Sequence, residues 1–344
     1  MARSTFVTIG STLFLVLTPH VLQSSAAAQT TAEFYRGKTI TISVGFTAGG
    51  GYDLHARVLA RNLGRHVPGS PSILVKNAPG AGGLSLVNSL FTTAARDGTE
   101  LATFDRGIPL EPLLEGAKAR FDPLQLGWIG STDNDASTCL SWHTAPVKTM
   151  DDLMRQELIV GATGSTANSN SFPRIMNAVL GTKFRVIAGY PGSPEALIAM
   201  ERGETQGFCS MGFATMQALR PDWVRDRKIN MFVQLALKKN PDHPEVPLAI
   251  DLAKTDADRQ ALVLIVSPNL FARPFTAPPG IPADRLQALR QAFAETVTDP
   301  DYVADATGKA LHIELVTGRE LEDLLHHLYE TPSTIVSRVN AAMK

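Results

Sequence analysis

Residues 44–56 read VGFTAGGGYDLHA, and this stretch decides the fold. An apolar strand over Thr39–Val44 runs into three consecutive glycines, and a helix over Tyr52–Leu63 begins at once. Glycine lets a ligand approach the main chain, and the free N–H groups at a helix start favour an anion. The stretch predicts a strand–turn–helix unit whose turn binds an anion; a tight turn without a ligand is the alternative. Asp53 is interpreted as a cap of its own helix. The candidate ligand residues of this turn are Gly49, Gly50, Gly51 and Tyr52.

Strands and helices alternate along the chain in two series. The first series continues with a strand at Ser72–Val75 and a helix that carries Leu84, Val87 and Phe91 at helical spacing. A further strand follows at Leu101–Phe104. This βαβαβ order predicts a parallel sheet with right-handed crossovers.

The second series begins with a strand at Leu158–Val160 and predicts a second α/β lobe. Two apolar segments are interpreted as the crossings between the lobes: residues 126–144 and a predicted strand at Ala261–Ser267. Further strands of the second lobe are predicted at Phe184–Ile187, Gly207–Met211 and Met231–Leu235. The predicted division is 29–134 plus 266–344 for the first lobe and 135–265 for the second.

The N-terminal residues have the pattern of an export signal. Arg3 precedes an apolar run over Phe6–Leu17, and small residues follow in SSAAAQT. This pattern predicts a signal peptide over 1–28 that is cleaved after Ala28. A membrane anchor is the weaker alternative, because a bilayer span needs roughly 18 to 20 apolar residues. We therefore expect an exported protein.

Composition and missing motifs exclude several classes of function. The net charge is −1 and no basic stripe is present, so nucleic acid is not an expected partner. The three glycines are not followed by the Lys–Ser/Thr pair of a phosphate loop, and no G-x-G-x-x-G follows a strand. No G-x-S-x-G elbow is present, and no histidines stand at ligand spacing near the two cysteines. We expect no cofactor, no metal and no enzymatic activity.

Two other turns carry candidate ligand residues. The turn GATGSTANSNS at 161–171 precedes a helix, and its hydroxyl and amide groups suit an anion; N-capping of that helix is the alternative role. Arg106 follows a strand of the first lobe and is a candidate partner for a carboxylate. Its alternative is an ion pair with Asp105 or another acid. The candidates in the second turn are Thr163, Ser165, Asn168, Ser169 and Asn170.

Four stretches together resemble a known family. They are VGFTAGGGYDLHARVLA at 44–60, VKNAPGAGG at 75–83, RDGTELATF at 96–104 and AGYPGSPEALIAMERGETQGF at 188–208. These stretches resemble the substrate-binding proteins of tripartite tricarboxylate transporters, which are periplasmic proteins of the Bug or TctC type. The resemblance extends from about Phe34 to GRELEDLL at 318–325 and so covers nearly the whole exported chain.

The resemblance implies a type II periplasmic-binding fold, in which two α/β lobes joined by two crossing strands close on a small carboxylate. The loaded protein, a monomer, would deliver this ligand to the large and small membrane subunits of a permease. A ligand sensor for a membrane kinase and an enzyme on the same scaffold are the alternatives. The family's ligand loops match Thr47–Tyr52 and Thr163–Asn170, which adds Thr47 to the candidates, and Tyr190 in the fourth stretch is a further candidate.

This chain departs from the family pattern at two places. Thr47 and Ala48 stand where prolines are usual, and Phe172 stands near the position of a common histidine. The implied strand order also places Cys139 beside Cys209 in the second lobe. A disulfide between them is the hypothesis, and two buried free thiols are the alternative.

Overall fold

The structure, a computed structural model, describes residues 29–343 apart from 115–117, 135 and 165–166, together with residues 1, 2 and 4. The predicted signal peptide and its cleavage point after Ala28 lie almost wholly outside these residues. Two sheets organise the described chain. Their strands are β1 (Thr39–Val44), β2 (Ser72–Asn77), β3 (Glu100–Thr103), β4 (Gly127–Ser131), β5 (Ser137–Trp142), β6 (Leu158–Ala162), β7 (Phe184–Ala188), β8 (Gly207–Gly212), β9 (Ile229–Leu235), β10 (Pro274–Ala277) and β11 (Val316–Thr317).

The first lobe is built on a six-stranded sheet of order β11-β4-β10-β3-β1-β2. Strand β1 pairs in parallel with both β2 and β3, as the βαβαβ pattern predicts. Strand β10 runs antiparallel to β3 and β4, and β11 runs antiparallel to β4. Because β1 lies between β2 and β3 and runs parallel to both, its C-terminal end brings the glycine turn to the sheet edge at which these two strands also end.

The second lobe is built on a five-stranded sheet of order β7-β6-β8-β5-β9. Strand β6 pairs in parallel with β7 and β8, whereas β5 runs antiparallel to β8 and β9. Cys139 of β5 and Cys209 of β8 are joined by a disulfide with an S–S distance of 2.12 Å. This is the pairing that the family's strand order implies, and it links two neighbouring strands of one sheet.

Helices cover both sheets. In the first lobe Val58 and Leu59 pack with Ile42 and Phe293 in one apolar core. The α-helices are α1 (Thr31–Tyr35), α2 (Gly51–Leu63), α3 (Leu84–Thr92), α4 (Met150–Arg155), α5 (Asn168–Leu180), α6 (Ser193–Glu201), α7 (Phe213–Leu219), α8 (Pro221–Arg225), α9 (Asp256–Val266), α10 (Ala283–Thr298), α11 (Pro300–Thr307), α12 (Gly318–Tyr329) and α13 (Ser333–Met343).

The chain passes between the sheets twice, once from β4 to β5 and once from α9 to β10. The predicted strand at Ala261–Ser267 is wrong, because these residues form the end of α9 and a short 3-10 turn. The cap at Thr255, whose side chain accepts a hydrogen bond from the Asp258 N–H, starts this helix. A short buried apolar run has the same appearance in a strand and in a helix, so its sequence did not separate the two.

Helix α13 packs on the second lobe, against α5 and α9. Its residues Ile335 and Val339 are buried in the same core as Phe172 and Met176. The predicted division of the chain stays a prediction, but α13 departs from it, because residues 266–344 were all assigned to the first lobe.

Candidate functional site

A cavity lies between the two lobes, where β1, β3, β6 and β8 end. Ligands of open α/β sheets bind at these C-terminal strand ends. The cavity has a volume of about 50 Å³, counted as the space open to the centre of a water molecule. One water needs roughly 10–15 Å³ on that measure, so the cavity suits a small molecule. Six predicted candidates line it: Gly50, Gly51, Tyr52, Arg106, Thr163 and Ser169.

Gly50 and Gly51 allow the second lobe to come close to the first. A Cβ atom on Gly50 would lie 3.2 Å from Ser193 Oγ, and one on Gly51 would lie 2.9 Å from Thr215 Cγ2. Both partners belong to the second lobe. The bare backbone therefore has two roles, since it leaves main-chain groups open to the cavity and gives the facing lobe room.

Three helices of nine or more residues start at the cavity without a side-chain cap, and the seven-residue α7 starts there as well, after Gly212. Helices α2, α5 and α6 have Gly50, Ala167 and Gly192 at their N-caps, and none of these makes a side-chain capping hydrogen bond. Residues in the first turns of all three helices line the cavity. Of the helices that start elsewhere, α1, α4, α9 and α12 have a threonine cap, whereas α3, α8 and α10 also lack a side-chain cap. At α5 the Asn168 N–H donates to Asp105 Oδ1. The aligned peptide dipoles at the three helix starts favour a negative charge between them.

Tyr52 lines the cavity on the first-lobe side. Its ring stacks on Phe46, with centroids 4.8 Å apart, and the Arg273 guanidinium lies 4.7 Å from the ring centroid. Its hydroxyl oxygen accepts a hydrogen bond of 3.0 Å from the Arg106 N–H. Burial raises the pKa of Tyr52 to about 12, so the phenol is neutral and keeps its hydrogen. Tyr52 thereby ties the glycine turn to both arginines.

Arg273 is the main site residue that the sequence did not reveal. Only 3% of it is exposed, and it lines the cavity. Its Nη2 donates to Thr215 Oγ1 at 2.7 Å, and its Nη1 donates to the Ala272 carbonyl at 2.8 Å. Its Nε is buried without a hydrogen-bond partner in the described part of the chain. A buried guanidinium with an unused donor is suited to an anionic ligand.

The main chain of Arg273 is held where the two crossings meet. Its N–H donates to Ser131 Oγ at 3.0 Å, and its carbonyl accepts from the Thr132 N–H at 3.3 Å. The buried His55 ring contacts Thr132 through Nδ1 at 2.9 Å. Burial, followed by repulsion from Arg273, lowers the pKa of His55 to about 3, which leaves that ring neutral.

Arg106 and Asp105 follow β3 and are both buried on the cavity wall, at 2% and 5% exposure. Asp105 Oδ1 accepts hydrogen bonds from the Gly107 N–H at 2.8 Å and from the Asn168 N–H at 3.4 Å. Burial raises the pKa of the Asp105 carboxyl above its ordinary value, although these hydrogen bonds and Arg106 oppose the shift. The first-lobe side of the cavity thus carries two cations and one carboxyl group.

The second-lobe side of the cavity is neutral. Thr163 and Ser169 are joined to each other, because Ser169 Oγ accepts from the Thr163 N–H at 3.0 Å and lies 3.1 Å from Thr163 Oγ1. The capping role considered for this turn is therefore not the role of Ser169. Further lining residues that the sequence did not single out are Ser193, Phe208, Ser210, Met211, Gly212 and Thr215.

The other predicted candidates lie off the cavity lining, and their contact with a ligand stays a prediction. Thr47 donates to Glu195 Oε2 at 3.0 Å, across the lobes, and the Gly49 N–H donates to Asp53 at 2.8 Å. Asn170 Oδ1 accepts from Arg174 Nε at 3.1 Å. The remaining candidates are Asn168, which approaches Asp105; Tyr190, beside Gly161; and Ser165, which is outside the described residues.

Asp53 acts at the helix start, as the sequence suggests. Its carboxylate accepts hydrogen bonds from the Gly49 N–H, from Arg57 Nε at 2.9 Å and from Asn77 Nδ2 at 2.8 Å. Burial alone would raise the pKa of Asp53, but these donors hold it below the ordinary value. Asp53 therefore stabilises the conformation of the glycine turn through the Gly49 N–H, and it does not line the cavity.

Across the described residues, no helix is long and apolar enough to cross a bilayer. Within the same residues, no group of three or more His, Cys, Asp or Glu side chains is placed to hold a metal ion.

Comparisons with known proteins first define the class. The fold is that of the two-lobed periplasmic binding proteins. The structure of periplasmic binding protein BugD matches with a TM-score of 0.70 at 18% identity, covering 90% of this chain and 98% of that chain. MatC from Rhodopseudomonas palustris, solved with bound malate, matches with a TM-score of 0.68 at 19% identity, covering 89% and 99%. At these identities the matches establish the fold.

A sequence relative supports the same class more specifically. The UPF0065 protein in the gbd 5'region of Cupriavidus necator is 27% identical over 282 residues, which are 80% of this chain and 79% of that protein. No family model matches this chain. With the two solved structures, this relative confirms the resemblance to Bug-type binding proteins that the four sequence stretches indicate.

Proposed function

We propose that this chain is a periplasmic receptor that captures a small organic acid and delivers it to a membrane transporter of the tripartite tricarboxylate type. The observation that carries the proposal is the charge of the cavity: Arg106 and Arg273 are buried there, together with three uncapped helix starts. The malate in the MatC structure shows that a binding protein of this fold accommodates a small carboxylate.

The ligand closes the protein by touching both lobes at once. The arginines and the glycine turn belong to the first-lobe side, and the hydroxyls of Thr163, Ser169 and Thr215 belong to the second. Only a closed state allows one small molecule to bond both sets, so ligand binding shifts the population toward closure. Closure would then present the loaded surface to the membrane subunits.

The proposed role is binding without chemistry. The two hydroxyls of Thr163 and Ser169 contact each other rather than a histidine, lysine or carboxylate that would activate them. Nucleophilic catalysis needs such a base within hydrogen-bond reach. We propose the same monomeric, cofactor-free receptor that the family resemblance implies.

Export to the periplasm is part of the proposal. The pattern of residues 1–28 supports it, and so does the disulfide between Cys139 and Cys209, because disulfides persist in oxidising compartments. N-terminal sequencing of protein from a periplasmic extract should begin at Gln29. A protein that still begins at Met1 would contradict the predicted signal peptide.

A thermal-shift panel tests the binding function directly. The exported chain is stripped of ligand by unfolding and refolding, then heated with organic acids, neutral sugars and simple cations. An acid at about 100 times its dissociation constant should add about 2.7 kcal/mol of stability. A sugar or cation that raises the melting temperature, with no acid doing so, would overturn the proposal.

Uptake distinguishes transport from sensing. Deletion of the gene should abolish accumulation of the radiolabelled acid that binds in the thermal-shift panel. Normal uptake in the deletion strain, with loss of a transcriptional response to the acid, would favour the sensor instead.

A further inference from the structure

One oxygen of the Asp105 carboxyl receives no hydrogen bond from any residue that the structure describes. Oδ1 accepts from the Gly107 and Asn168 N–H groups, whereas Oδ2 accepts no hydrogen bond within the described part of the chain. Asp105 is buried and lines the cavity beside both arginines. Because Asp105 lines the cavity, this oxygen is able to accept a hydrogen bond from a donor on the ligand.

The Asp105 carboxylate is unfavourable in a cavity whose ligands carry only carboxylate groups. Its negative charge would repel a ligand carboxylate nearby and would partly cancel the field of Arg106 and Arg273. Backbone hydrogen bonds to Oδ1 fix its position, so it cannot turn away from the cavity. The same arrangement becomes favourable if the ligand carries a positive or polar donor next to its carboxylate.

We propose that the ligand is an organic acid with an amino or hydroxyl group beside its carboxylate, and that Asp105 Oδ2 receives this donor. The inference rests on the proposed function and narrows its ligand class. The carboxylate faces Arg273 and Arg106, and the donor on the neighbouring carbon faces Asp105. Asp105 is then the residue that separates substituted acids from plain ones.

A protonated Asp105 would reverse the expected preference. Burial raises the pKa of this carboxyl, and a neutral Asp105 would donate to a second ligand carboxylate instead of accepting from an amino group. The cavity would then favour plain dicarboxylates. The two states therefore predict opposite preferences between the amino and the plain acid, which makes the protonation of Asp105 measurable through binding, whereas a hydroxyl can bond either state.

Isothermal titration calorimetry on matched acids tests the inference with the wild-type chain. Each set keeps one carbon skeleton and changes only the group beside the carboxylate: succinate, malate and aspartate; propionate, lactate and alanine; phenylpropionate, phenyllactate and phenylalanine. In whichever set binds, we expect the hydroxyl or amino member to bind at least about tenfold more tightly than the plain acid. A plain acid that binds as tightly as its substituted partners overturns the inference and leaves the carboxylate receptor intact. If no member of any set binds and a sugar does, the proposed function falls as well.

The variant Asp105→Asn provides the second measurement. Asparagine keeps an oxygen for the Gly107 and Asn168 N–H groups and presents an NH₂ group in place of Oδ2, so the fold is retained. We expect the amino member to lose its advantage over the plain acid, while the hydroxyl member keeps part of its own, because an NH₂ group still bonds a hydroxyl oxygen. The melting temperature without ligand controls for folding. An unchanged ratio between the amino and plain members in a folded variant overturns the role of Asp105.

Discussion

The two walls of the cavity differ in charge. The first-lobe wall, with the crossing that leads into it, holds Arg106, Arg273 and Asp105. The second-lobe wall offers hydroxyls, such as those of Thr163 and Ser193, and apolar side chains such as Phe208, with no charged side chain among its described residues. The charged wall therefore supplies most of the attraction for an acid. The neutral wall contacts the ligand when the lobes close.

This difference suggests an order of events. An acid meets the charged wall first, because a buried guanidinium and an open helix start act on it without help from the other lobe. The second lobe then adds hydroxyls and excludes water, which strengthens every charged contact inside. Arg273 belongs to both steps, since it lies over Tyr52 and donates to Thr215 of the second lobe.

Removal of the cation at Arg273 should have the largest effect. We expect Arg273→Gln to weaken binding of the acid about 300-fold, or about 3.5 kcal/mol, because a ligand charge then lies buried without its partner. Calorimetry measures the affinity, and circular dichroism without ligand checks that the variant is folded.

The matched control for this variant is Thr215→Val. It removes the hydroxyl that Arg273 Nη2 contacts but keeps the charge and the shape of the site. We expect about a fivefold loss, as for one neutral hydrogen bond. Equal losses in the two variants would contradict the comparison, because they would assign the affinity to the contact between the lobes rather than to the charged wall.

The walls also differ in how they are held together. The disulfide joins two strands of the second lobe, and Cys209 stands between Phe208 and Ser210, which both line the cavity. We expect the double variant Cys139→Ala/Cys209→Ala to lose about 3 kcal/mol of unfolding free energy, because the bridge closes a loop with a sequence separation of 70 residues. Urea denaturation measures the loss.

Affinity for the acid should fall less than stability in this double variant, since the charged wall lies in the other lobe. Wild-type protein unfolded in urea with a reducing agent provides the control and should reproduce the lower midpoint. A midpoint that does not move under reduction would mean that the bridge contributes nothing to the second lobe.

The fold was largely readable from the sequence because its signals are local. The strand at Thr39–Val44, the glycine turn and the helix at Tyr52–Leu63 follow from periodicity and turn chemistry, and the parallel pairing of β1 with β2 and β3 follows from their order. The failure at Ala261–Ser267 has the same origin, since an apolar run this short carries no period of its own.

The site was only partly readable, because it is assembled from residues far apart in the chain. Arg106 stood out after a strand, but Arg273 lies in FARPF, where neither glycines nor a helix start mark it. Asp105 was considered only as a partner for Arg106, whereas its backbone contacts place it on the cavity wall. The residues of the neutral wall, such as Ser210 and Thr215, have no sequence signal, because their role arises from the approach of the lobes.

A further prediction, smaller than those for Arg273 and for the disulfide, tests the approach of the two lobes at a glycine. A Cβ atom on Gly164 of the second lobe would lie 2.6 Å from the Gly82 nitrogen and 2.8 Å from the Ala81 carbonyl carbon, both backbone atoms of the first lobe. No side-chain rotation relieves such a clash, so Gly164→Ala should hold the lobes apart. We expect about a tenfold loss of affinity, or about 1.4 kcal/mol, within the cost of overpacking. Small-angle scattering should show a variant that contracts less than wild type when the acid is added.

A graded pair separates lobe closure from general damage. Gly50→Ala meets only Ser193 Oγ, at 3.2 Å, and that hydroxyl can turn away, so its loss should be smaller than that of Gly164→Ala. Gly308→Ala, at the end of α11 in the first lobe and away from the cavity, should bind like wild type. If Gly164→Ala binds the acid as tightly as Gly308→Ala, contact between the lobes is not needed to hold the ligand. The charged wall would then act alone, because a wedge between two backbones can be harmless only if the bound state leaves the lobes apart.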